Sequence, residues 1–373
     1  MKFIISSTLL SSHLQAVSRV VNSKNTLPIL DCFLFELKDG VLSVTASDSE
    51  TTLVTSVEVA ESDGNGRIAV LSKMLLDALK EIPEQPLTFD ANPSSLEITI
   101  LYQNGKCSLM GQDADEYPTS AILSNKAVQV EMDAMVLLNG INRTAFSMGD
   151  DDIRQVMNGI FFDITPDDIT MVATDGFKLV RYKILSCKGN TKSSFIFPKK
   201  PVLLLKSLLS REQGLVKIEF DERNAVFTLS SYRMVCRLIE ELYPKYNSVI
   251  PTDNPYKATV DRMSLLGALK RVSVFSPKAI NLVGLSLSNG KLRISAQDMD
   301  YSTSAEETLP CQYTDKPMSI GFNSLFLIDM LNAIPSTEVV LELADPSRVG
   351  VVVPAEQEED EDLLTLLLPI ALD

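Results

Sequence analysis

Three aspartates stand at matching places along the chain. They are Asp48 in Thr45-Ala46-Ser47-Asp48-Ser49-Glu50, Asp175 in Val172-Ala173-Thr174-Asp175-Gly176-Phe177-Lys178-Leu179, and Asp298 in Ser295-Ala296-Gln297-Asp298-Met299-Asp300. Carboxylates brought together could hold a metal ion or share acid and base work, so a metal-dependent hydrolase is one reading. Each aspartate also closes an alternating apolar run: Val41, Thr45 and Ala46; Ile169, Met171 and Ala173; Leu292, Ile294 and Ala296. Period-two alternation marks a half-buried strand, and an Asp at its end is a turn former whose side chain bonds its own backbone. Repetition favours the turn, because one carboxylate per repeat keeps the three apart. Other reactive types are sparse. His13, the one histidine, has no Cys or His at ligand spacing and is expected at the surface or in a groove. Cys32, Cys107, Cys187, Cys236 and Cys311 are scattered and odd in number, the usage of a reducing cytosol. Phosphate-loop, dinucleotide and nucleophile-elbow motifs do not occur. The chain reads as catalysing nothing, with no cofactor and no metal.

The elements that carry these turns repeat with them. Leu9-Leu10, Leu137-Leu138 and Leu265-Leu266 recur at one fixed interval, each in a helix behind a short strand. Helical spacing predicts buried stripes of Leu10, Leu14, Val17 and Val21; of Leu138, Ile141, Ala145 and Met148; and of Leu265, Leu269 and Val272. A strand pair follows in each copy, over 33–59, 159–184 and 283–308, then a further strand and a second helix over 73–81, 202–211 and 324–333. Pro198 and Pro201 fall just before the middle one, where proline suits a helix start. Closing strands follow, the last over 339–343, 349–353 and 363–370. Linkers near 115–126 and 243–255 divide the chain into domains 1–125, 126–251 and 252–373. Three tandem copies of helix, strands, helix, strands make an α+β fold of similar domains.

A chain of 373 residues with 45% apolar content supports that many cores, and disorder is excluded for most of it. No apolar run reaches the roughly 18 residues of a membrane span, and the start lacks a signal-peptide core, so the expectation is a cytoplasmic protein with no membrane partner. Net charge is −15, yet the predicted helices are basic: Lys199, Lys200, Lys206 and Arg211 meet no carboxylate in 198–211, and Arg262, Lys270, Arg271 and Lys278 meet only Asp261 in 261–278. Helices sharing one face would let phosphates approach despite the acidic whole, screened over a Debye length of about 10 Å. The alternative is that these lysines only keep the helices soluble. Without interleaved aromatics, no sequence readout is implied. The run Glu356-Gln357-Glu358-Glu359-Asp360-Glu361-Asp362 reads as a solvated loop.

Four motifs carry a resemblance: Thr26-Leu27-Pro28-Ile29-Leu30; Ala173-Thr174-Asp175-Gly176 with Leu179; Leu242-Tyr243-Pro244-Lys245-Tyr246 with Val249-Ile250-Pro251; and Leu367-Leu368-Pro369-Ile370. Together and in this order, on a triplicated chain, they resemble the bacterial DNA polymerase III beta subunit family, the processivity sliding clamps, over essentially the whole length. The resemblance implies a head-to-tail homodimeric ring around duplex DNA, antiparallel sheets outside and helices lining a central hole. It implies binding without sequence preference and partners that include the replicative polymerase alpha subunit, the clamp loader and other proteins bearing a clamp-binding motif. A protein-only scaffold that does not encircle DNA is the alternative. Carried over by motif, a partner-peptide cleft would use Met157, Thr174, Gly176, Lys178, Leu179, Pro244, Ser248, Val249, Phe326, Leu366, Leu368, Pro369 and Ile370. DNA-facing cations would be Lys24, Lys73, Lys80, Arg154, Lys199 and Lys200, and the dimer seam Cys107, Leu109, Val274, Phe275, Glu306 and Glu307. On this expectation, Leu179→Asp abolishes peptide binding and leaves the ring intact. The chain departs from the family's pattern at Lys178, at Ser248 where arginine is usual, at Gln155 in place of an aromatic, and at Ala371 in place of a basic residue. Asp373 extends the tail, and the 356–362 loop is longer than usual.

Overall fold

The computed structural model describes residues 1–22, 25 and 27–372. Lys24, Thr26 and Asp373 lie outside the described residues. The chain divides into two compact units, Met1–Met135 with Leu203–Leu238, and Val136–Val202 with Ile239–Asp373. Its six α-helices, among the described residues, are α1 (Ser7–Val17), α2 (Ser72–Lys80), α3 (Ala134–Thr144), α4 (Lys199–Leu209), α5 (Arg262–Val272) and α6 (Ser324–Ala333).

In the first unit α1 starts where Ser6 caps the amide of Leu9, a bond that satisfies one of the orphan donors of the first turn. Leu10, Leu14 and Val17 are fully buried as the spacing predicts. The fourth member of the stripe is Val20, not Val21. The helix ends at Val17 and a turn, with Val20 N–H donating to Val17 O at 3.1 Å, resets the phase. An eight-stranded antiparallel sheet holds Cys32–Lys38, Val41–Ser47 and Thr51–Glu58 in a meander, and Thr51–Glu58 continues onto Tyr232–Arg237. A five-stranded sheet ends at the edge strand Gly105–Met110.

The second unit repeats the scheme. Its eight-stranded sheet runs Ser193–Pro198, Gly159–Ile164, Ile169–Thr174, Lys178–Ile184, Glu361–Leu367, Gly350–Pro354, Glu338–Leu343 and Tyr256–Asp261. A four-stranded sheet has Thr303–Pro310 at its edge. Each region read as a strand pair is a run of three strands, because the Asp-bearing close turns the chain back once more. In α3 Ala134, Leu137, Gly140, Ile141 and Thr144 are buried, Leu137 taking the place of the half-buried Leu138, while Ile141 and Met148 are buried as predicted. The helix stops at Thr144, whose hydroxyl donates to Gly140 O at 2.7 Å, so Ala145 opens a 3-10 turn and leaves the 3.6-residue period. Leu265, Leu269 and Val272 form their stripe as expected, and α6 spans the predicted residues. Pro201 lies inside the first turn of α4, where its missing N–H would have had no helical partner.

The acidic run is only partly a solvated loop. Residues 356–360 are exposed, but Glu361 and Asp362 begin the last strand and pair with Arg143 and Arg181. That strand ends at Leu367 rather than Ile370, which keeps one isolated bridge to Gly321.

The candidate peptide cleft and its neighbours

The three aspartates do one job. Asp48 Oδ1 accepts from the amides of Glu50 and Thr51, Asp175 Oδ1 from those of Phe177 and Lys178, and Asp298 Oδ1 from those of Asp300 and Tyr301. Among the described residues no group of three His, Cys, Asp or Glu could hold a metal ion. His13 is half-buried, with Nδ1 2.6 Å from Thr55 Oγ1. Thr55 gives its own proton to Ser231 O, so His13 must be the donor and is held in the Nδ1–H tautomer. Burial pushes its pKa below the ordinary histidine value.

The Asp175 turn is the one the motifs place at the proposed cleft. Ile169–Thr174 is buried along its whole length and delivers Thr174 to the turn. The Thr174 hydroxyl donates to Lys178 O at 2.7 Å and accepts from Gly176 N at 3.1 Å, and Gly176 takes φ +90°, which a side chain resists. The turn is therefore stiff and presents Phe177, 57% exposed. Lys178 is buried. Its ammonium lies 2.5 Å from Asp175 Oδ2 and 4.0 Å from the centre of the Phe326 ring, so the cation is paired and covered by an aromatic face. Asp329, also near Lys178, has its carboxyl pushed up by burial, partly offset by that ammonium.

Behind the turn, Leu179 stands opposite Leu366 across the pairing of Lys178–Ile184 with Glu361–Leu367. These two pack with Val172 and Tyr246, flanked by Phe161, Tyr243 and Ile250. Phe161 and Tyr243 stack at 4.5 Å, and the Tyr246 hydroxyl donates to Asp163 at 3.0 Å with its pKa raised by burial to about 12. These rings fix the 243–250 segment, so Pro244, Ser248 and Val249 stand exposed beside the floor. The tail closes another side, with Leu368 N–H donating to Phe177 O at 2.9 Å and Ile370 N–H to Gly321 O at 2.8 Å. Leu368 is 40% exposed.

The structure thus gathers Thr174, Gly176, Lys178, Leu179, Phe326, Leu366, Leu368 and Ile370 with 244–249. Leu179 and Leu366 are floor rather than lining. An aspartate at position 179 would bury a charge in the sheet, so Leu179→Asp tests folding before it tests binding. Met157 arrives on the short 3-10 turn Gln155–Met157, its amide bonded to Arg154 O. Arg154, read from sequence as DNA-facing, lies against the turn: a Cβ on Gly176 would stand 2.6 Å from Arg154 Nη1. Asp151 holds its Nε at 2.8 Å. Sequence reasoning does not single out Phe177 or the Tyr243–Tyr246 rings, although both tyrosines lie inside a family motif.

The other proposed sites lie apart from this turn in sequence and element. Lys73 and Lys80 are exposed on α2, and Lys199 and Lys200 open α4, with Lys199 paired to Asp150 at 3.3 Å. Cys107 and Leu109 continue the apolar face of Ile100 and Ile98 onto the edge strand Gly105–Met110. Val274 and Phe275 are exposed beside α5; Glu307 pairs with Arg271 at 2.6 Å and Glu306 with Arg293 at 3.1 Å, both on the edge strand Thr303–Pro310.

Family models of the DNA polymerase III beta subunit match nearly the whole chain: the N-terminal domain over 1–121, the central domain over 131–245 and the C-terminal domain over 247–371. The chain belongs to the DNA polymerase III beta subunit family. It is 28% identical to the beta sliding clamp of Haemophilus influenzae over 377 residues, covering both chains fully. Solved structures similar over the full length of both chains include the sliding clamp of Pseudomonas aeruginosa bound to griselimycin, with TM-score 0.94 and 26% identity. The Bartonella birtlesii clamp bound to griselimycin follows, with TM-score 0.93 and 28% identity. The fold is the clamp fold of this family, with the antiparallel sheets and helices described above.

Proposed function

We propose that this chain is a DNA sliding clamp: a homodimeric ring that encircles duplex DNA and tethers the replicative polymerase, conferring processivity without catalysis of its own. The observation that carries the reading is the ordered match of all three clamp domains over nearly the whole chain. Domains would run 1–125, 126–251 and 252–373. Retention by topology needs only weak phosphate contacts, which suits a chain of net charge −15 with lysines gathered on helices. Lys24, Lys73, Lys80, Lys199 and Lys200 are the proposed DNA-facing cations. Arg154 belongs by its contact with Gly176 to the peptide cleft as well.

The dimer would form by adding edge strand to edge strand, Gly105–Met110 of one protomer beside Thr303–Pro310 of its partner. One edge carries the half-covered Cys107 and Leu109, and the exposed Val274 and Phe275 stand beside the other. Lys106 on the first strand complements Glu306 and Glu307 on the second. A head-to-tail contact that closes makes a ring. The cleft around the Asp175 turn takes a short, partly apolar peptide from the polymerase alpha subunit, the clamp loader or another partner. Val249, Leu368 and Phe177 provide exposed apolar surface over a packed floor, the composition of a peptide groove. Light scattering at micromolar concentration tests the ring: a mass twice 41.0 kDa is expected, and a monomer at that concentration would remove the two-protomer reading.

A further inference from the structure

The acidic loop is anchored in a way that a merely solvated loop has no need of. Glu361, its last carboxylate but one, accepts from both the Arg143 guanidinium on α3 and the Tyr182 hydroxyl. Arg143 also lies over the Tyr182 ring at 4.7 Å. The side chains of Arg143 and Glu361 are 12% and 19% exposed, so this ion pair is largely removed from water. Next to it Arg181 donates to Asp362 at 2.6 Å, and Leu185 N–H to Asp360 O at 2.9 Å. From the other side the Gln357 amide takes the place of a missing strand: its Nε2 donates to Leu363 O at 2.9 Å and its Oε1 accepts from Leu363 N at 3.0 Å.

That surrogate is needed because the last strand is unevenly supported. Pairing with Lys178–Ile184 runs from Glu361 to Leu367, but pairing with Gly350–Pro354 covers only Thr365 to Leu367. The Glu361–Leu364 half thus has one strand neighbour, and it follows a loop whose Glu356, Glu358, Glu359 and Asp360 repel one another. The same strand carries Leu366 to the cleft floor and leads into Leu368 and Ile370.

We propose that Arg143, Gln357 and Glu361 form a latch that positions the cleft wall, fixing the start of the last strand so that Leu366–Ile370 stand in register with the Asp175 turn. Largely buried ion pairs are poor sources of stability but good at setting registry, which is the role assigned here. Without the latch a fraction of molecules has the strand start detached, and apparent affinity falls with the competent fraction. The proposal rests on the cleft reading above.

The test uses the full-length protein, griselimycin (the ligand bound by the related Pseudomonas aeruginosa and Bartonella birtlesii clamps) as probe of the proposed cleft, calorimetric titration, and amide exchange of residues 363–368. Arg143→Met is expected to weaken binding roughly tenfold and to speed exchange in 363–368 while the Leu282–Ser288 sheet keeps its protection. Arg143→Lys, which restores a cation opposite Glu361, is expected to recover most of both. Gln357→Ala changes an exposed side chain and gives the same direction should the methionine variant fold poorly. Wild-type binding with unchanged affinity and exchange in the variants overturns the latch alone. No binding of the probe by the wild type overturns the cleft reading, and the latch with it.

Discussion

Replacing Gly176 by alanine separates backbone strain from the contact this turn makes. Gly176 sits at φ +90°, where an L side chain costs about 1–2 kcal/mol. The added methyl would also lie 2.6 Å from Arg154 Nη1. Relief requires the guanidinium to swing away, straining its 2.8 Å bond to Asp151. Strain alone predicts a loss of about 1–2 kcal/mol in unfolding free energy, and the displaced guanidinium adds to it. Gly290→Ala is the control. Gly290 has φ +71° with nothing within 4 Å of a Cβ, and so carries the strain without the clash. Urea unfolding of both variants reads the difference, and the same griselimycin titration reads whether displacing Arg154 disturbs the proposed cleft. Equal destabilisation of the two, with unchanged binding by Gly176→Ala, would refute the close packing of Arg154 on the turn.

Leu368→Ser removes an exposed apolar side chain at the cleft rim and should weaken the same titration severalfold while leaving the melting temperature within about a degree, since surface changes of this kind stay near ±0.5 kcal/mol; a large drop in melting temperature would instead make Leu368 a core residue. Phe275→Asp should move the light-scattering mass from dimer toward 41.0 kDa, and an unchanged dimer would exclude that edge from the seam. His13, whose pKa burial lowers, contributes stability that is present above the ordinary histidine range and lost as pH falls through its depressed folded value. Melts at several pH values should therefore show a shallower acid-side decline for His13→Gln than for wild type, and equal slopes would show that His13 is not desolvated. Asp298→Ala should destabilise by about 0.5–2 kcal/mol through the two amides it leaves unbonded, as other local side-chain caps do; no change in a denaturant midpoint would mean the turn holds without it.

Local periodicity was enough to place the helices and the Asp-closed strands, because both signals are carried by adjacent residues. Errors came where a helix stopped or where spacing allowed two residues. Val20 replaces Val21 because a turn after Val17 changes the angular step, and Leu137 replaces Leu138 because both stand at helical spacing from Ile141, so spacing alone does not choose between them. The motifs name the residues of the proposed cleft, but not their depth. Leu179 and Leu366 look like surface apolar residues until their pairing across strands nearly two hundred residues apart makes them floor. The ion pairs of Glu361 and Asp362 depend on the same long-range pairing, which is why a run of like charges read as loop. Arg154 is DNA-facing on the family resemblance, and only its close approach to Gly176 brings it to the peptide turn.

The central claim is topological. Loaded onto nicked circular plasmid by a clamp loader and passed through a sizing column in high salt, the protein should travel with the circle, because a closed ring cannot dissociate by losing phosphate contacts. Cutting the plasmid once before the column should release it. Equal retention on circular and linear DNA, or on neither, would contradict encirclement.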